Sequence, residues 1–259
     1  MLLAVDIGNS QVKLGLISAE GRDFARVWRV ATVRERTPDE WHSLLASLCS
    51  SSGVDLAAVS GVAIASVVPS VTRWLAGASR ERLGVEPLVL VSDPFPWLRV
   101  ATDQPAETGI DRVVNALAAY TNLGGPVVVV DAGTATKIDA VTEDGRFLGG
   151  SIAPGIGLTL DALAGRAARL YAVELVPPPT AIGPNTIAAL QSGVVLGYLE
   201  LCAGMIRRVK AELGGQVRVV VTGGGGGLIA DHLPGIDEFN PRLTLEGVAL
   251  AYRRSIGGG

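Results

Sequence analysis

An α/β fold made of two similar halves is what this sequence predicts, and three observations carry the prediction. An apolar run ends in the same kind of turn twice, as Val5-Asp6-Ile7-Gly8-Asn9-Ser10 and as Val130-Asp131-Ala132-Gly133-Thr134-Ala135. A motif recurring at corresponding places marks an internal duplication. Strand-like runs of Val, Ile and Leu alternate with longer helical patterns along the chain. Finally, 259 residues set against about 150 per domain favour two domains over one, with the expected division into 1–122 and 123–259.

The elements follow in order. Leu2–Val5 is a strand, Val12–Leu16 a second and Arg26–Ala31 a third. Thr37-Pro38-Asp39-Glu40 supplies a cap, a first-turn proline and two acids, which opens a helix to about Ser50. Val59–Val68 reads as a buried strand, Pro69–Leu83 as a helix and Leu88–Val91 as a short strand. Val113–Tyr120 is a helical pattern. The second half repeats the scheme with a strand at Val127–Val130, then a hairpin around Glu143-Asp144-Gly145, whose Asp-Gly pair suits a tight turn. Helices are expected from Pro154-Gly155 to about Leu170 and from Thr186 to about Leu213. A strand at Val217–Val221 precedes five glycines, and helical patterns cover Leu228–His232 and Leu245–Ser255.

Composition narrows the function classes. Apolar residues make up 48% and charged residues 18%, enough for a packed core and too apolar for a disordered chain. The net charge of −3, with no run of Lys or Arg, argues against a nucleic-acid footprint. Two cysteines without a CxxC and two histidines exclude a zinc finger and argue against a His-rich metal site. Cys49 and Cys202 read as buried thiols. MLLAVDIGNS reads as neither signal peptide nor membrane span, and the expected location is the cytoplasm. Trp28, Trp41, Trp74 and Trp97 are scattered as packing residues are, and His42 and His232 fall at expected helix or loop edges.

The repeated turn carries the chemistry. An aspartate at a strand end can hold Mg²⁺ through water, the following glycine lets backbone amides approach an anion, and small hydroxyl or amide side chains add donors. One copy is ordinary turn chemistry; two at corresponding positions point to a triphosphate. No GxxxxGK[ST] is present, and neither turn carries GxGxxG. The run Gly223–Gly227 fits either backbone passing beneath a nucleotide or a surface turn.

The loops Asp6-Ile7-Gly8-Asn9-Ser10 and Asp131-Ala132-Gly133-Thr134-Ala135, with Gly109-Ile110-Asp111-Arg112 between them, resemble type III pantothenate kinase. The likeness continues in order through Gly149–Gly155, Asn185-Thr186, Ser192-Gly193 and Thr222-Gly223-Gly224. It implies two ribonuclease-H-like domains of the actin-like ATPase kind, with a nucleotide cleft between them. It also implies ATP-dependent phosphorylation of pantothenate to 4′-phosphopantothenate, the first step toward coenzyme A. By position, the resemblance assigns Asp6, Ile7, Gly8, Asn9, Ser10, Gln11, Val12 and Lys13 to the first phosphate loop, with Asp6 near Mg²⁺, and Thr134 to ATP. Gly109, Ile110, Asp111, Arg112 and Thr186 would meet pantothenate, with Asp111 the general base on its hydroxyl. Asp131 would hold a monovalent cation, K⁺ or NH₄⁺. The partners implied are ATP and pantothenate, with neither nucleic acid nor membrane, and a homodimer.

Two positions depart from the pattern. Lys137 stands where the family's second loop has threonine; it can reach a phosphate or occupy the space near the cation. Thr102 stands at a position where many members have tyrosine. Arg112 can orient the pantothenate carboxylate or pair with a carboxylate of the protein. The stripe Leu190, Val194, Val195, Tyr198 and Leu201 is either core or a dimer face. The rival readings are a kinase for another small-molecule alcohol and a nucleotide-binding regulator without turnover.

Overall fold

The computed structural model describes residues 1–18, 23–166 and 173–257. The chain forms two compact units, one of residues 1–118 with 242–259 and one of residues 119–241.

In the first unit, strand β1 (Leu2–Ile7) is buried along its whole length, which is why it reads as a continuous apolar run rather than an alternating one. It pairs antiparallel with β2 (Gln11–Ile17) and parallel with β4 (Gly61–Ser66). Strand β3 (Phe24–Ala31) forms one edge and β5 (Leu88–Val89) the other, giving the order β3-β2-β1-β4-β5. Edge strand β3 carries Arg26 and Arg29 and stays largely accessible, as a protected edge does. Helix α1 (Pro38–Ser51) opens on the Thr37–Glu40 capping box and buries Trp41, Leu45 and Cys49, a spacing of four that lines one helix face. Helix α2 (Pro69–Ala78), strand β6 (Arg99–Val100) and helix α3 (Ile110–Leu123) follow.

In the second unit, β7 (Val127–Ala132) pairs antiparallel with β8 (Ala135–Val141), which pairs with β9 (Arg146–Pro154). The turn before β9 places Gly145 at φ +78°, a left-handed conformation that glycine adopts without strain. Strand β7 runs parallel to β10 (Arg218–Thr222), and β10 to β11 (Glu238–Phe239). The helices are α4 (Ile156–Arg166), α5 (Thr186–Gln191), α6 (Gly197–Leu213) and α7 (Gly226–His232). The expected continuation of α4 to Leu170 lies partly outside the described residues.

The expected long helix from Thr186 to Leu213 is present and continuous, with a π-helical stretch, Ser192–Leu196, between α5 and α6. Of the apolar stripe, Val194, Val195 and Tyr198 are core residues of this unit, whereas Leu201 is 38% exposed. The run Thr186–Leu213 is long and apolar enough to span a membrane by composition, and its packing against β7 and β8 gives the buried part of that apolarity a core function. Helix α8 (Leu243–Ile256) belongs to the first unit. Its Leu243, Leu245, Val248, Ala249 and Ala251 are buried, it lies against β1, β2 and β4, and Gly247 sits so close to the Val114 carbonyl that a Cβ would come within 2.0 Å.

The tryptophans pack as expected. Trp41 is fully buried under Arg36, whose guanidinium lies 4.8 Å from the ring centroid, and Trp97 meets Phe95 edge-on at 5.2 Å. His232 is exposed, while His42 is half-buried.

Candidate active site

Each unit carries the same device at the carboxyl end of its central parallel strand. In the first unit Asp6 and Lys13 are direct cross-strand partners, with Lys13 Nζ 3.2 Å from Asp6 Oδ2. In the second unit Asp131 and Lys137 are direct partners, with Nζ 2.9 Å from Oδ2. All four side chains are at most 20% exposed. The carboxyl edge of parallel strands is where open α/β sheets bind ligands.

The first turn is tightly held. Gly8 donates its amide to the Gln11 carbonyl at 3.0 Å, and a Cβ at Gly8 would lie 3.2 Å from that same oxygen. Thr32, on the neighbouring chain segment, donates its hydroxyl to the Gly8 carbonyl at 2.7 Å and its amide to the Ser10 carbonyl at 3.1 Å. Asn9, Ser10 and Gln11 are exposed, whereas the side chains of Ile7 and Val12 are sealed in the core. Those two residues therefore have only main-chain groups to offer a ligand.

The second turn is braced by glycines. Gly155 donates its amide to the Thr134 carbonyl and Gly225 to the Ala132 carbonyl, at 3.0 and 2.9 Å. Gly223, at φ +89°, passes so close that a Cβ would lie 2.5 Å from the Ala132 carbonyl oxygen. The five-glycine run is thus a packed support for the Asp131 loop. Thr134 is exposed in the turn. Thr222, in register with Asp131 on β10, is fully buried, and its hydroxyl has no hydrogen-bond partner.

The third segment is the start of α3. The Gly109 carbonyl accepts from the Arg112 amide at 3.0 Å, so Gly109 caps the helix and Asp111 stands in its first turn, where the helix dipole favours a carboxylate. A Cβ on Gly109 would lie 2.6 Å from Asp111 Oδ1; the glycine makes room for that carboxylate. Just upstream, the hydroxyls of Thr102 and Thr108 are 3.0 Å apart, which fixes the approach to Gly109. Thr186, exposed at the start of α5, follows Asn185, which caps that helix through the Ala188 amide. Asp139 is buried beside Gly150.

Among the described residues no three His, Cys, Asp or Glu side chains cluster to hold a metal. A cavity of about 600 Å³ opens at the amino ends of β7 and β10, by Pro126 and Arg218, away from Asp131.

The chain matches the family described as type III pantothenate kinase over residues 2–208. It is 45% identical to a type III pantothenate kinase of Moorella thermoacetica over 255 residues, 98% of this chain and all of that one. It is 47% identical to another from Thermomicrobium roseum, covering 98% of this chain and 97% of the relative.

The chain belongs to the type III pantothenate kinase family.

Solved structures agree on the fold. A Campylobacter jejuni protein described as a Baf family transcriptional activator superposes with a TM-score of 0.63 at 21% identity, covering 98% of this chain and 99% of that one. The activator of 2-hydroxyisocaproyl-CoA dehydratase from Clostridium difficile, solved with ADPNP, gives 0.58 at 12% identity, with 99% and 95% covered. The shared fold is α/β with two mixed sheets. The family's reaction is ATP-dependent phosphorylation of pantothenate on the way to coenzyme A, and this chain is a phosphotransferase of that kind.

For a pantothenate kinase, the structure brings Asp6 and Lys13 together, keeps Gly109–Arg112 as one capped helix start and pairs Asp131 with Lys137. Two features escaped the sequence reading. Thr32 lies far from the first loop in sequence and is marked by no motif. The equivalence of Lys13 and Lys137 is hidden because three residues separate β1 from β2 but only two separate β7 from β8.

Proposed function

We propose that Asp111 is the general base of the pantothenate kinase reaction, with Gly109, Ile110, Arg112 and Thr186 contributing to the pantothenate site. The observation that carries this reading is the carboxylate in the first turn of α3, over a glycine that makes room for it. The hydroxyl oxygen of pantothenate attacks the γ-phosphorus of ATP, its proton passes to the Asp111 carboxylate, and the bond from the γ-phosphorus to the bridging oxygen breaks to release ADP.

The phosphates of ATP are assigned to residues 6–13, with amides of the Gly8–Gln11 turn as donors and Lys13 as a counter-charge, and to Thr134 in the second loop. Mg²⁺ arrives with ATP as part of the substrate, and Asp6 would hold it through water. A monovalent cation at Asp131 does not fit the donor set: Oδ2 already faces Lys137 Nζ at 2.9 Å, and the Thr222 hydroxyl beside it is closed to solvent. No step here runs through such an ion.

The protein is assigned to the cytoplasm as a homodimer that uses neither nucleic acid nor membrane. The metabolic role of the family supports the location, and exposed apolar side chains of the second unit, Ile152 at 62% and Ile187 at 54%, suit burial against a second copy.

The test is pantothenate-dependent ADP release with Mg·ATP, comparing the protein with Asp111→Asn. The expected result is a fall in kcat of roughly 10²–10⁴-fold with ATP affinity preserved. Loss of ATP binding in the variant would reassign Asp111 to the nucleotide, and absence of turnover in the unaltered protein would reject pantothenate as the acceptor.

A further inference from the structure

We propose that Lys137 is a tethered monovalent cation of the second phosphate loop, making nucleotide binding and turnover independent of added K⁺ or NH₄⁺; this rests on the kinase reading above. The ammonium group sits 2.9 Å from Asp131 Oδ2, about the distance of a charge-assisted hydrogen bond. Both side chains are largely withdrawn from solvent, at 19% and 13% exposure, so the pair is screened less than a surface ion pair. The strand register makes the two residues direct partners, and the lysine reaches its aspartate along the hairpin rather than by a chance surface contact.

The first unit supplies an independent argument. Asp6 and Lys13 occupy the same cross-strand relation at 3.2 Å, although the turn between them is one residue longer. The fold has thus placed a lysine opposite the strand-end aspartate twice, and in the first unit that lysine lies in the phosphate loop. A lysine ammonium is a compact point charge with three N–H donors, one of which goes to Asp131. It cancels the aspartate charge, as a bound K⁺ would, beside the loop assigned to a triphosphate. Because the cation is covalently attached, no ion has to be recruited from solution, and the entropy of collecting it is already lost in folding.

The neighbouring residues hold the lysine in this orientation. Thr136 and Ile138, on either side of it along β8, are 1% exposed and point into the core. Alternation along a strand sends Lys137 to the opposite face, where Asp131 lies.

The experiment uses the whole chain in buffers whose only monovalent cation is potassium, ammonium, sodium or choline. Two quantities are read in each: pantothenate-dependent ADP release, and the Kd of Mg·AMPPNP by calorimetry. The unaltered protein is expected to hold both within about twofold across all four salts. Lys137→Met keeps an unbranched apolar stem without the charge; in it, nucleotide affinity in choline is expected to fall at least tenfold and to be recovered at least in part by potassium or ammonium. A tenfold or greater potassium requirement in the unaltered protein overturns the proposal, as does a Lys137→Met variant that binds nucleotide as well as the parent in choline. The calorimetric series answers the question even if another alcohol is the acceptor, and the unaltered protein's salt series answers it if the variant fails to fold.

Discussion

The hydroxyl oxygens of Thr136 and Tyr198 lie 2.8 Å apart in the interior of the second unit, which ties the strand behind the Asp131 turn to the first turn of α6. Burial pushes the Tyr198 phenol well above its usual pKa, so the bond is one between neutral groups. Tyr198→Phe leaves the Thr136 hydroxyl buried without this partner. Stability is expected to fall by about 1–2 kcal/mol, read as an earlier midpoint in chemical denaturation. Because Thr136 adjoins Lys137, the KM for ATP should rise while kcat changes little; an unchanged midpoint and KM would remove the tie from the account.

Thr32 is expected to act on nucleotide affinity through the first turn. Thr32→Val deletes the hydroxyl that holds the Gly8 carbonyl at 2.7 Å but keeps the side-chain volume. The KM for ATP should rise severalfold, with stability lowered by only about 1 kcal/mol. Steady-state kinetics at saturating pantothenate decides this, and equal KM values for variant and parent would show that the turn holds its shape without Thr32.

The glycine run makes a paired prediction. Gly223→Ala forces a left-handed residue at φ +89°, at a cost of about 1–2 kcal/mol, and drives a Cβ against the Ala132 carbonyl. Gly224→Ala meets nothing within 4 Å. The first variant should bind AMPPNP at least tenfold more weakly and unfold earlier, and the second should match the parent within twofold in binding. Equal behaviour of the two would return the run to the status of a plain surface turn.

The cysteines should be silent in the folded protein. Cys49 and Cys202 are 2% and 0% exposed, and burial pushes the Cys202 thiol up to about 11. A thiol whose folded pKa lies above its unfolded value of about 8.5 contributes stability that is intact below pH 8.5 and is lost as pH rises toward 11. Denaturation midpoints measured at pH 8 and pH 10.5 should therefore fall with pH, and less steeply in Cys202→Ala. At pH 8 a disulfide reagent should modify both cysteines only after unfolding; rapid labelling of the native protein would contradict the burial.

What the residues announced and what they concealed divide along physical lines. Local chemistry was legible: the Thr37–Glu40 capping box, the Asp144-Gly145 turn and the Asp-x-Gly strand ends are each set by side chains within a few positions of one another. The helix that holds Asp111 begins at Ile110 rather than Val113 because Gly109 can cap it, a role a bare apolar pattern does not display. The π-helical stretch at Ser192–Leu196 opens on Ser192-Gly193, a mark that a reading of apolar spacing alone passes over. Helix α8 has an apolar stripe that would suit either core, and partners distant in sequence decide its place: β1, β2 and β4 beneath it and Val114 against Gly247. Register concealed the Lys13–Lys137 equivalence, since a hairpin shortened by one residue moves its partner by one along the chain.

The return of α8 to the first unit sets an order of assembly. Residues 119–241 form one uninterrupted stretch, whereas the first unit is closed by a helix from residues 243–256. During synthesis the second unit's chain has emerged entirely before the segment that covers β1, β2 and β4 is made. Until that helix arrives, the apolar faces of those strands await their cover, and the first-made half of the protein is the last to be finished. A stalled or clipped chain lacking only its final turns would thus expose the oldest part of its core, the sheet that carries Asp6.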